Sequence, residues 1–127
     1  MRLIDTNIIL RYLLKDNEQQ AAKAAEAIRD GAFTTAEVIA EVVYVLSGVY
    51  RIPREEVSWM THCVLLDVRI DNLKSLRYAL GLFSKTNLDF VDCLMIAYHK
   101  VLGVDVLSFD RKLNSNLDKA TEIFQTT

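Results

Sequence analysis

Residues 1–14 read Met1-Arg2-Leu3-Ile4-Asp5-Thr6-Asn7-Ile8-Ile9-Leu10-Arg11-Tyr12-Leu13-Leu14, and the hydrophobic period changes inside them. Leu3 and Ile4 make a brief apolar run that stops at Asp5, whereas Ile8, Ile9, Leu10, Leu13 and Leu14 recur at the spacing of one helix face. The stretch predicts a first strand, a turn and a short helix. The same switch between short apolar runs and longer helical patterns repeats along the chain, which predicts an α/β domain built on a central, mainly parallel sheet flanked by helices.

Working outward, Asp16-Asn17 supplies an N-cap for an Ala-rich helix over 18–30, with Gly31 as its C-terminal stop. Ala32-Phe33 is a short strand. Thr34-Thr35-Ala36-Glu37 matches the capping box and opens a helix to about Tyr50, with Val38, Val42, Val45 and Val49 along one side. Pro53 is suited to the first position of the next helix, which carries Val57, Met60 and Val64. The alternation over 66–70 predicts a short edge strand, and Asp71-Asn72 caps a helix carrying Leu73, Leu76, Leu80 and Phe83. A further helix is expected from Asp89 to about Leu102, stopped by Gly103, followed by a buried strand over Val104 to Ser108 that ends at Asp110.

Composition sets the limits. The chain has 127 residues, 51% of them hydrophobic, which is enough for one domain over 1–127 to build a core without disulfides or a structural metal. Its apolar runs fall far short of the roughly 20 residues a membrane span requires. Asp5 stands where a signal peptide would need its apolar centre, so a cytoplasmic protein is expected. Cys63 and Cys93 are 30 residues apart within apolar helical patterns and are expected to be reduced packing residues. His62 and His99 lack metal-ligand spacing. The glycines at 31, 48, 81 and 103 are too scattered to write a dinucleotide or phosphate-cradling loop, and the serine-hydrolase elbow is missing.

Acidic residues carry the functional signal. Asp5 and Asp110 each follow an expected strand, at the sheet edge where open α/β folds bind ligands. Asp89 and Asp92 open the preceding helix one turn apart. Glu41 sits among aliphatic residues, and a carboxylate buried there alone would cost several kcal/mol. A hard divalent cation such as Mg²⁺ or Mn²⁺, which prefers oxygen ligands, is one way to keep such a set ionised. Each residue also has a simpler reading. Asp5 and Asp89 suit N-caps, Asp110 suits the cap of a final helix starting at Arg111, and Glu41 suits solvent beside Glu37. Net charge of −2 does not discriminate, because four carboxylates set aside for a metal leave thirteen acidic against fifteen basic residues, a surplus of two positive charges.

The ordered set is more specific than its members. Leu3-Ile4-Asp5-Thr6-Asn7, Glu41-Val42-Val43-Tyr44-Val45-Leu46, Asp89-Phe90-Val91-Asp92-Cys93-Leu94-Met95-Ile96-Ala97 and Leu107-Ser108-Phe109-Asp110 resemble the successive motifs of PIN-domain nucleases, nearest in kind to the VapC-type toxins of toxin-antitoxin pairs. The resemblance covers essentially the whole chain. It implies a PIN-like three-layer α/β/α fold and a Mg²⁺- or Mn²⁺-dependent endoribonuclease with Asp5, Glu41, Asp92 and Asp110 as the catalytic quartet. Asp5, Asp92 and Asp110 would be the metal ligands, with Thr6, Asn7, Asp89 and Ser108 supporting them or touching substrate. It further implies an RNA substrate, a cognate antitoxin and a homodimer. Ser108 stands where many relatives have Thr, Cys93 where they have Ala, and Lys112 and Asn114 follow Asp110 where some have another acid. A haloacid-dehalogenase-like phosphatase needs Asp-x-Asp, and position 7 is Asn. A non-catalytic binding module on the same scaffold is the remaining alternative. Tyr44, Tyr50, Trp59 and Met60 suit either the core or a partner surface.

Overall fold

The computed structural model describes residues 1–119. Strand β1 (Arg2–Leu3) lies parallel to β2 (Ala32–Phe33), with Arg2 opposite Ala32 and Leu3 opposite Phe33. The Gly31 and Phe33 carbonyls accept from the Arg2 and Ile4 amides at 3.2 and 2.9 Å, while the Ala32 carbonyl and Thr34 amide turn the other way to bond Arg69 at 3.0 and 2.9 Å. β2 is therefore central. The edge strand expected over 66–70 shrinks to a single parallel bridge at Arg69, because the preceding helix runs on to Asp67.

The parallel pairings are joined by helices, as the α/β class requires. Between β1 and β2 lie α1 (Thr6–Leu14) and α2 (Glu18–Arg29). α2 starts as expected, with Asn17 accepting from the Gln20 amide, and Gly31 follows it at φ +104°, a conformation that suits glycine. α3 (Ala36–Tyr44) continues into a π-helical turn, Val45–Val49, and α4 (Arg54–Asp67) leads to the bridge. The cap of α3 falls one residue later than the sequence pattern suggests. Thr35 accepts from the Val38 amide, and Thr34 is buried and donates its hydroxyl to the Ile4 carbonyl, tying β1 to the end of β2. Pro53 stands just before α4 rather than at its first residue. α5 (Leu73–Lys85), α6 (Phe90–Ala97), a second π-helical turn (Tyr98–Leu102) and α7 (Arg111–Leu117) complete the described chain.

The expected strand over Val104 to Ser108 does not form. Leu107 is 90% exposed and Phe109 99% exposed, and the segment pairs with neither strand. Its polar backbone groups find other partners. His99 Nδ1 lies 2.7 Å from the Val104 carbonyl, and Asn114 donates to the Ser108 carbonyl at 2.8 Å. Gly103, at φ +73°, does end the helix before it.

The core is one continuous cluster in which Ile9, Ile39, Val42, Leu46, Val57, Leu76, Leu80 and Ile96 are fully buried. Arg54 clamps α4 to the α5–α6 junction. Its guanidinium donates to the Phe83 carbonyl at 2.8 Å and to the Leu88 carbonyl, and lies 3.6 Å over the Phe83 ring, which meets Phe90 edge-on. Cys93 is buried, its thiol pushed up to about 12 chiefly by burial, as a packing thiol should be. No disulfide joins the two cysteines. Tyr44, Tyr50 and Trp59 stay exposed, so they are not core residues. Among the described residues no helix is long and apolar enough to cross a membrane.

Candidate active site

Asp5 stands where the chain leaves the sheet. Ile4 is buried and held by Phe33 and Thr34, so the next residue emerges at the carboxyl end of β1. One carboxylate oxygen of Asp5 accepts from the Ile8 amide at 3.1 Å and caps α1. The cap reading is therefore correct, and the second oxygen is left over for other work. Thr6, the first residue of α1, donates its hydroxyl to Glu41 Oε1 on α3. That bond brings two of the expected acids to one place.

For Glu41 the simpler of the two readings holds, solvent beside Glu37. It is exposed, not buried, because α3 turns Ile39, Val42 and Val43 inward and Glu37 and Glu41 outward. Glu41 therefore carries no buried unpaired charge and is a surface carboxylate oriented by Thr6. Asn7 is exposed and lines, with Asp5, a shallow hollow bordered by Arg2 and Ala27.

A second acidic group forms around the start of α6. Asp92 is half-buried in the first turn, and its carboxyl titrates above the usual carboxylate range, first through burial and then through repulsion by Asp110 and Asp89, with Lys112 opposing. Asp110 and Asp89 are thus near enough to Asp92 to be felt by its carboxyl. Asp110 caps α7, accepting from the Leu113 amide at 2.9 Å. Asp89 occupies the N-cap position of α6 but its side chain makes no cap bond, so its carboxylate is not consumed by the helix. Ser108 turns its hydroxyl to the Asp110 amide at 3.0 Å and fixes the approach to that residue. Lys112, two residues after Asp110, adds a cation near Asp92.

α3 packs against both α1 and α6, and α6 against α7, so one helix separates the two groups. A cavity of about 510 Å³ on the α6 side of α3 is lined by Ala40, the neighbour of Glu41, and by Asp89 and Asp92. Among the described residues, no three His, Cys, Asp or Glu side chains stand close enough to enclose an ion. The donor set is nevertheless all oxygen, and repelling carboxylates beside Asp92 are what a hard cation relieves. Mg²⁺ usually takes only one or two protein carboxylates and fills its shell with water and phosphate oxygens, so the oxygen chemistry of the Asp89, Asp92 and Asp110 group suits such an ion, while Asp5 and Glu41 stand in the other group.

A family model described as PIN domain matches residues 2–118. A VapC ribonuclease of Aquifex aeolicus (strain VF5) is 30% identical over 120 residues, which cover 88% of this chain and 89% of that protein. No solved structure matches the chain.

Proposed function

The chain belongs to the PIN-domain family, and from that premise we propose that it is a divalent-metal-dependent endoribonuclease, the toxin of a VapBC-type toxin-antitoxin pair. What supports this reading at the site is that Thr6 ties Glu41 to the Asp5 end of α1, while Asp89, Asp92 and Asp110 form a second acidic group at the start of α6 across α3. The working unit is a single domain over 1–127. Its partners are an RNA substrate, a cognate antitoxin and a second copy of the chain, acting in the cytoplasm. Trp59 and Leu66, exposed one above the other on α4 at i and i+7, leave apolar surface for protein partners.

Asp5 and Asp92 are the principal ligands in this reading, with Asp110 completing the set. Bound Mg²⁺ or Mn²⁺ would acidify a water and neutralise charge on the phosphate. The protein's own contributions are orientation and proton transfer. The caps fix Asp5 and Asp110 by one oxygen each, so their free oxygens have little rotational freedom. Thr6 holds Glu41, which takes a proton from the attacking water as its oxygen bonds to phosphorus, and the bridging oxygen departs with its chain end and takes a proton from solvent water to become a hydroxyl. Asp89, Asn7 and Ser108 support this set or contact the RNA. Lys112 lies nearby to offset phosphate charge.

The test is total cellular RNA incubated with the purified protein, with new 5′ ends mapped across all transcripts. Discrete ends that require Mg²⁺ or Mn²⁺ and vanish in Asp92→Asn are expected. Ends absent under all conditions, with the protein folded, would leave the non-catalytic module.

A further inference from the structure

Part of the lining of the cavity beside Asp92, namely Val43, Tyr44, Phe83, Phe90 and Val91, is not used by the nuclease chemistry. The cavity is about 510 Å³, larger than one nucleobase needs, and lies between α3 and the start of α6. Its apolar walls come from Val43, Phe83 and Phe90. At its rim stand Tyr44, 70% exposed, and Val91, 57% exposed. Gly48, one turn after Tyr44, has helical backbone and open space apart from the tyrosine ring, 4.0 Å from where a Cβ would stand, so no side chain at position 48 covers that ring.

Charge selects the occupant. Arg54, the one cation among the described residues that line the cavity, donates one Nε and one Nη2 hydrogen to the Phe83 and Leu88 carbonyls and lays its face on the Phe83 ring, so it is held against the α5–α6 junction. Asp89 and Asp92 make the mouth an acceptor for N–H groups. An aromatic platform, an apolar wall and a carboxylate without a cap bond suit the face and amino-bearing edge of a base. We propose that this cavity seats one nucleobase of the RNA strand beside the acidic site, stacked on Tyr44, with the Asp89 carboxylate accepting from an exocyclic amino group. The inference rests on the ribonuclease reading for its substrate class, and it adds a specificity pocket to that site.

The test uses the full chain free of metal, so that binding is read apart from cleavage. Cytidine, uridine, adenosine and guanosine 5′-monophosphates, and ribose 5-phosphate as a base-free control, are titrated while amide and ring signals are followed by NMR. Nucleotides should shift Tyr44 and Val91 and ribose 5-phosphate should not. Cytidine should bind tighter than uridine, which lacks the amino group. Tyr44→Ala should weaken binding roughly 5- to 150-fold, the range of one base–aromatic stack, and Tyr44→Phe should retain it. Asp89→Asn should erase the preference for cytidine. Equal shifts with ribose 5-phosphate, binding indifferent to Tyr44→Ala, or loss of the Tyr44 response because a second copy covers it on concentration, would each overturn the pocket. RNA cleavage with unchanged end preference in Tyr44→Ala would refute the pocket and spare the nuclease, and nucleotide binding without any cleavage would do the reverse.

Discussion

Two segments of the molecule begin alike and finish differently. Leu3-Ile4 runs into Asp5, and Val106-Leu107-Ser108-Phe109 runs into Asp110. Each aspartate caps the helix after it through one oxygen and the amide three residues on, at 3.1 Å for Asp5 and 2.9 Å for Asp110. Yet β1 is bonded into the sheet and its last apolar residue is buried, while the second segment is unpaired with Leu107 and Phe109 in solvent. The lesson is about range. A cap needs only the next three residues, so the local sequence suffices to make it. A strand needs a partner that the local sequence does not contain.

The largest effect expected along this comparison is on catalysis. Asn is as good a cap as Asp, so Asp5→Asn and Asp110→Asn keep both helices while removing the charge. RNA cleavage should fall by about a thousandfold in Asp5→Asn, equivalent to several kcal/mol of lost charge stabilisation, with little change in thermal unfolding. Unfolding of Asp5→Asn at markedly lower temperature would show that charge, rather than capping, holds that junction.

Next comes the packing difference. Ile4→Ala should cost about 2–4 kcal/mol by denaturant unfolding, because it opens a cavity beneath the sheet, whereas Leu107→Ala should stay within about 0.5 kcal/mol. A comparable loss at Leu107 would mean that the second segment is covered after all. Asp5→Ala and Asp110→Ala should each cost about 1 kcal/mol as lost caps, lowering the melting temperature by roughly 3–5 °C.

The smallest effect is electrostatic. The Asp92 carboxyl is raised in the folded state, so the metal-free domain is stabilised relative to the unfolded chain below the ordinary carboxylate range and loses that advantage as pH rises through the folded value. Asp110→Asn removes one of the repulsions, so melting curves in chelator from acidic to neutral pH should show a smaller loss. Burial is the larger cause, so part of the loss should persist.

Sequence and structure agree where the signal is local. Asn17, Gly31, Gly103 and the apolar faces of α3, α5 and α6 were readable because caps, stops and helical periodicity act within a few residues. The family itself was readable from the ordered motifs, and its model matches residues 2–118. The rest depends on contacts between distant residues. Neither the Thr6–Glu41 bond, 35 positions apart, nor the Arg54 clamp onto Phe83 and Leu88 leaves a periodic trace. The shift of the α3 cap from Thr34 to Thr35 follows from the same cause, since Thr34 is drawn into the sheet by Ile4. Glu41 allowed two readings for an instructive reason. Aliphatic neighbours in sequence occupy the opposite face of a helix as readily as the same one.

The central claim is that carboxylates presented from separate elements act on one cation. Calorimetric titration of Mn²⁺ into the wild-type chain, Asp5→Asn and Asp92→Asn, each checked for folding, addresses it without any choice of RNA. A single wild-type binding event that both substitutions weaken is the predicted result. No binding up to millimolar Mn²⁺, or an event that Asp92→Asn removes and Asp5→Asn leaves intact, would contradict it.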